Sequence, residues 1–173
     1  MRFRTPTGAD ERDAAFREFA RQRAAPLHRS AYLLCGDWHL AEDLVQETLA
    51  KVYAQWHRVE SADNSHAYVR RILVNEARQR WRRHEAPVLR SDVVREQPAP
   101  DRTDDVLRRA ELLAALLSLP LGQRATIVLR HLDGLTERET AAALGCSEGT
   151  VKSQASRAMA ALRKYLQREE SRA

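Results

Sequence analysis

The chain has 173 residues, is 43% hydrophobic but only 6% aromatic, and carries a formal net charge of +5. That length suits one medium domain or two small ones, and the shortage of aromatics means that any core is built mostly from Leu, Ala and Val. Cys35 and Cys146 form no C-x-x-C pair, and His28, His39, His57, His66, His84 and His131 show no ligand-like clustering, so disulfide frameworks, metal sites and metal cofactors are not expected. A P-loop and a G-x-G-x-x-G are both lacking, which argues against an enzyme. No apolar run is long enough to span a bilayer and no signal peptide is visible, so a cytoplasmic location and no membrane partner are expected.

Residues 1–10, with Pro6 and Gly8, read as a frayed tail. A helical pattern starts near Glu11, with Phe16, Phe19 and Ala20 on one face. Pro26 is expected to interrupt it, and a second pattern runs through Leu27, Ala31, Leu34 and Cys35 to Gly36. Asp37 to Trp56 reads as one long amphipathic helix. Its core side is Ala41, Leu44, Val45, Leu49, Val52 and Trp56; Asp43, Gln46, Glu47 and Ala50 lie opposite. A solvated face looks much the same, but an acidic, small-residue face can also dock a basic partner helix.

After a loop over 58–65 comes a basic helix at about 66–84, which has six Arg against one Glu between Arg70 and Arg83. Val69, Ile72, Leu73 and Ala77 supply its buried side. Arg71, Asn75, Arg78 and Arg82 form a stripe in which a neutral hydrogen-bonding side chain sits among arginines, as contact with both phosphate and base requires. Tyr68 and Trp81 could stack on bases as in single-strand binders, though for lone aromatics at helical spacing core packing is the better reading. Residues 85–103, with Pro87, Pro98 and Pro100 among charges, read as a flexible linker. Four helices follow, at about 104–117, 121–132, 136–144 and 148–167. The expected fold is all-α: two small helical domains on a tether. Charge is distributed to match, at +3 over 61–85 and +3 over 120–173, with −1 between them, which suggests two separate contacts with a polyanion.

Residues 136–166 carry the strongest local signal, a helix-turn-helix. Thr136 with Glu139 matches a capping box, Gly145 stops the first helix, and Ser147 is placed to cap the second. In that second helix Val151, Ala155, Ala158 and Leu162 form an apolar stripe. Lys152, Ser153, Ser156, Arg157, Arg163 and Lys164 lie on the opposite arc, and there is no acid from Gly149 to Arg168. Such an arc can neutralise phosphates, while Thr, Ser and Arg near the helix start can reach base edges in duplex DNA.

Taken together, these residues resemble the group 4 (extracytoplasmic-function) sigma factors, promoter-recognition subunits of bacterial RNA polymerase, and in particular the sigma-E-like actinobacterial subgroup. AYLLCGDWHLAEDLVQETLAKVYAQW is similar to the family's polymerase-binding segment, with its D-L-V-Q-E-[TA] core at Asp43–Thr48. AYVRRILVNEARQRWRR resembles the promoter-melting segment, whose W-L-x-R-I-A-x-N pattern places Tyr68, Arg71, Ile72 and Asn75. LPLGQRATIVLRHLDGLTERETAAALGCSEGTVKSQASRAMAALR is similar to the segment that reads the −35 element.

The resemblance implies a tail at 1–10, sigma region 2 at 11–84, a linker at 85–103 and sigma region 4 at 104–168. It implies that Asp43, Gln46 and Glu47 meet the β′ clamp helices of core polymerase, with the β subunit a further partner. Arg71, Asn75, Arg78 and Arg82 would hold the −10 region as it opens, and the loop Glu60–Ser65, including Asp63 and Asn64, would accept a flipped-out base. Thr150, Lys152, Ser153, Ser156 and Arg157 would face the −35 major groove. No cofactor, no metal and no bond-making step is implied. The free chain would be a monomer, with an anti-sigma factor allowed as a further partner. Gln79 stands where the family usually has Asp and is assigned no role, and Ala155 replaces a larger apolar residue, which implies looser packing of the last helix; Gln154 and Met159 replace frequent Arg positions, so the isolated chain should bind DNA weakly. The alternative is a stand-alone helix-turn-helix regulator of duplex operator DNA, which has no need of the acidic docking face and the basic melting helix.

Overall fold

The computed structural model describes residues 8–83 and 103–171. Of the tail expected over 1–10 and the linker expected over 85–103, residues 1–7 and 85–102 lie outside the described residues, while residues 8–10 belong to the first helix and Thr103 begins the fifth. Among the described residues, regular structure is helical throughout: α1 (Gly8–Cys35), α2 (Trp38–Ala54), α3 (Trp56–Glu60), α4 (Ser65–Arg83), α5 (Thr103–Leu117), α6 (Leu121–Ile127), a π-helical turn (Val128–Leu132), α7 (Glu137–Leu144) and α8 (Glu148–Glu170).

Pro26 does not break α1, contrary to the sequence expectation. A proline withholds one N–H from the helix ladder, but here its ring faces solvent and the helix is held on both sides of it. Phe16 and Phe19 pack edge-on against Trp56, with ring centroids 5.6 and 5.0 Å away, and Leu27, Ala31 and Leu34 are buried on the other side. Ser30 Oγ donates to the Pro26 carbonyl at 3.1 Å. Gly36 ends α1 at φ 74°, and a Cβ there would collide with the Leu117 side chain of α5. The glycine therefore provides both the left-handed turn and the close approach of α5. Asp37 then caps α2, its Oδ1 accepting the Leu40 N–H at 2.8 Å.

The single helix expected from Asp37 to Trp56 is two. Gln55 leaves helical geometry at φ −114°, ψ 22°, and α3 restarts at Trp56. The break turns Trp56 beneath α1, where it is 5% exposed. Part of the loop expected over 58–65 is consequently helical. Thr48, rather than Leu49, sits fully inside α2, because its hydroxyl donates to the Leu44 carbonyl at 2.6 Å and so carries no unpaired donor into the core.

Leu44, Val52, Val59, Leu73 and Val74 form the centre of one apolar cluster, and the same cluster takes in Ala125 of α6, Val128 and Leu129 of the π-helical turn, and Ala143 and Leu144 of α7. A smaller cluster joins Ala115, Leu116 and Leu119 to Ile127, Ala158 and Leu162, with Leu33 of α1 packed against it. The two halves therefore share a core, and α1 contributes to both clusters. Each fully buried Leu or Val contributes about 1.5–3 kcal/mol relative to exposure. Burial pushes the Cys35 thiol up to about 11, so it stays protonated and serves as packing.

Candidate polymerase and nucleic-acid interfaces

Asp43, Gln46 and Glu47 all lie exposed on the side of α2 opposite Ala41, Leu44 and Val45. The face carries a feature that the periodicity did not predict. Arg80 of α4 spans it, with Nη2 3.0 Å from Asp43 Oδ2 and Nη1 3.4 Å from Glu47 Oε1. Half-exposed ion pairs of this kind contribute little to stability; their effect is to hold two carboxylates in one orientation. Arg80 falls outside the Arg71/Asn75/Arg78/Arg82 stripe, and only its unmatched charge on the α2-facing side of the helix could have pointed to it.

α4 buries Val69, Ile72, Leu73 and Ala77 as expected, but also Arg70, Val74 and Glu76. The extra burial comes from a second neighbour. One side of the helix packs on α2, where Lys51 Nζ meets Glu76 at 2.5 Å, and another side packs on α7. Within the stripe Arg71 and Arg82 are exposed and Asn75 is half-buried. Arg78 is also half-buried, its Nη1 donating to the Leu144 carbonyl at the end of α7, 2.6 Å away. In the preceding turn Asp63 is exposed, whereas Asn64 closes the first turn of α4 by accepting the Ala67 N–H at 3.0 Å and also donates to Glu139. Tyr68 and Trp81 pack as core residues; the Tyr68 hydroxyl donates to Gln55 at 3.1 Å, and the Arg124 guanidinium lies 5.7 Å from the Trp81 ring centre.

The helix-turn-helix forms as its caps require. Thr136 Oγ1 accepts the Glu139 N–H at 3.2 Å and Glu139 Oε2 accepts the Thr136 N–H at 2.8 Å, a reciprocal capping box. These bonds, with that from Asn64, hold the Glu139 carboxyl below its usual range. Gly145 is left-handed at φ 65°, and Ser147 Oγ accepts the Thr150 N–H at 3.1 Å to begin α8. Thr136→Ala removes one side of the box and is expected to destabilise the fold by about 1 kcal/mol, measurable as a lower urea midpoint at unchanged slope.

Val151, Ala158 and Leu162 are buried along α8, with Ala155 only half-buried. Lys152, Ser156 and Arg157 are exposed on the other arc, and Thr150 and Ser153 half-buried beside them. Lys152 lies 3.4 Å from Glu137 of α7, and Ser153 is turned back onto the Thr150 carbonyl at 3.0 Å. The end of the Gln154 side chain lies against Gly122 of α6, 2.9 Å from where a Cβ would stand. Among the described residues no group of three or more His, Cys, Asp or Glu could hold a metal ion, and no helix is long and apolar enough to cross a membrane.

The described residues thus form two helical units, one with an acidic face on α2 beside the basic helix α4 and one ending in a capped helix-turn-helix. The chain belongs to the sigma-70 family: residues 19–86 match sigma-70 region 2 and residues 109–162 match sigma-70 region 4. It is 40% identical over 151 residues to the RNA polymerase sigma-E factor of Streptomyces coelicolor, covering 87% of this chain and 85% of that one. It is 35% identical over 172 residues to the ECF RNA polymerase sigma factor SigE of Mycolicibacterium smegmatis, covering 95% of this chain and 66% of that one. The fold is similar to that of the sigma factor RpoE of Bartonella quintana, solved in complex with the anti-sigma factor NepR, at a TM-score of 0.69 and 31% identity, covering 87% of this chain and 97% of that one. As a sigma factor, the chain binds core RNA polymerase and directs transcription initiation at specific promoters.

Proposed function

We propose that the two units divide promoter recognition between them. Asp43, Gln46 and Glu47 present α2 to the β′ clamp helices; Arg71, Asn75, Arg78 and Arg82, with Asp63 and Asn64 of the preceding turn, hold the opened −10 region. Thr150, Lys152, Ser153, Ser156 and Arg157 face the −35 major groove. The observation that carries this reading is the placement of a carboxylate face and an arginine-rich stripe on two helices packed together, α2 and α4, so that one partner can be anionic DNA and the other basic protein. Chemistry follows from the charges. Exposed Arg71 and Arg82 suit phosphate, while Asn75 offers both a donor and an acceptor to a base edge. Unstacking a base costs a few kcal/mol, which contacts from polymerase and from this stripe must offset.

The chain makes and breaks no bond; catalysis is the polymerase's, and the site of action is the cytoplasm. Core polymerase and promoter DNA are its partners, and the complex of the Bartonella relative supports an anti-sigma factor as a third. Asn75→Ala tests the melting role. Initiation is expected to fall about tenfold on duplex templates, the loss of about 1–3 kcal/mol of base contact, but much less on templates whose −10 region is already unpaired. Equal loss on both would show that Asn75 does not act in opening.

A further inference from the structure

The acids on the exposed face of α2 are tied to α4 by a ladder of charges whose polarity reverses along its length. At one end Arg80 of α4 reaches two carboxylates, with Nη2 3.0 Å from Asp43 Oδ2 and Nη1 3.4 Å from Glu47 Oε1. One turn along, the signs exchange: Lys51 of α2 meets Glu76 of α4 at 2.5 Å. Lys51 stands four residues after Glu47, the usual spacing for an ion pair within one helix. Its ammonium is instead drawn across to the Glu76 carboxylate, whose side chain is 5% exposed. Glu47 is thereby left to Arg80. Each contact with Arg80 uses one carboxylate oxygen, and the Asp43 and Glu47 side chains stay 56% and 44% exposed, so a second oxygen on each is available to a partner's donor.

Neither DNA contact nor stability accounts for this arrangement. At about 3.6 residues per turn, Arg80 falls on the opposite side of α4 from Arg71, Asn75, Arg78 and Arg82. Ion pairs with half-exposed acids add little to stability, and Lys51 with Glu76 already joins α2 to α4 beside the shared apolar core. What a guanidinium supplies is a rigid fork that spans two acceptors. We infer that Arg80 is a positioning residue for polymerase binding, acting through Asp43 and Glu47 by holding both carboxylates ready for a partner's basic side chains. The inference rests on the assignment of those two acids to the polymerase contact. Two effects of Arg80 oppose one another. Its charge makes the face less negative and slows the approach of a basic partner. Its fork orders two flexible side chains in advance, so that binding does not have to order them. The second effect wins at physiological salt, where charges more than about 8 Å apart are largely screened and the ordering is untouched.

Rates of association with, and dissociation from, purified core RNA polymerase at physiological salt test this on the full chain. Arg80→Gln is expected to dissociate about fivefold faster, the scale set by ordering one or two long side chains at an interface. Its association rate should be equal or slightly higher, and its urea midpoint that of the wild type. Arg80→Lys keeps the charge but loses the fork, and is expected to dissociate about twofold faster. A chain carrying Asp43→Asn with Glu47→Gln should itself dissociate faster than the wild type, and adding Arg80→Gln to it should have no further effect. Wild-type dissociation of Arg80→Gln while the chain lacking both acids dissociates faster would overturn the positioning role alone. The same fivefold loss in the chain lacking both acids would also overturn it, because Arg80 would then act without them. Wild-type dissociation of the chain lacking both acids would overturn the assignment of Asp43 and Glu47 to polymerase, and the role of Arg80 with it.

Discussion

Asp43→Arg is expected to weaken binding to core RNA polymerase by about a hundredfold while leaving the helical fold intact. The side chain is 56% exposed, so the change buries nothing and opens no cavity. What it changes is the charge of the α2 face proposed to dock on polymerase. The wild-type α2 offers two carboxylates oriented by Arg80, at 3.0 and 3.4 Å. In the variant the new guanidinium sits beside Arg80 and repels it, and a face complementary to a basic partner becomes like-charged. A reversal at a desolvated charge contact costs several kcal/mol, mostly as faster dissociation. Competition against the wild-type chain for purified core polymerase measures it directly, with circular dichroism confirming the fold. A variant that still competes within a few-fold of the wild type would place the polymerase contact elsewhere on the surface.

The largest stability effect is expected at Arg124. This residue is 5% exposed, and its guanidinium donates to three carbonyls, Leu34 O at 2.5 Å, Leu117 O at 2.8 Å and Leu119 O at 2.9 Å. These groups lie at or just beyond the C-terminal ends of α1 and α5, where helices leave carbonyls without partners and carry partial negative charge. One buried cation thus satisfies orphan acceptors from both halves of the molecule. Arg124→Met keeps most of the side-chain volume but leaves all three carbonyls buried and unpaired. Hydrogen bonds to charged groups are worth about 1.5–3 kcal/mol each, and some relaxation or water entry recovers part of the loss, so a net cost of about 3–4 kcal/mol is expected. Urea denaturation followed by far-ultraviolet circular dichroism measures it. A loss under about 1 kcal/mol would mean that Arg124 is not a structural clamp.

What was legible in the sequence was what is decided locally. The ends of α7 and the start of α8 follow from Thr136, Glu139, Gly145 and Ser147, because caps act within three or four residues and need no tertiary contact. The acidic and basic faces of α2 and α4 follow from helical periodicity in the same way. The fate of Pro26 was not legible, since it depends on how firmly Phe16 and Phe19 on one side and Leu27 and Ala31 on the other are packed. Nor was the second buried side of α4: Arg70 reads as one more member of a basic run until Asp133, far along the chain, is brought beside it. Arg80 and Arg124 were invisible for the same reason. Their partners are fixed by packing across helices, and a charged residue at a helical position carries no mark of whether it will meet water, a carboxylate or a carbonyl.

The family membership shows a sigma factor; the central mechanistic claim is that this chain alone programs core polymerase by docking through α2 and opening promoters through α4. Multi-round transcription of sheared DNA from the source bacterium by purified core polymerase, with and without the chain, tests that claim most directly, with the 5′ ends of the transcripts sequenced. A small set of new start sites is expected that share −35 and −10 elements, that appear only when the chain is present, and that disappear with Asp43→Arg. Transcripts that are the same with and without the chain, or start sites that persist with Asp43→Arg, would contradict it.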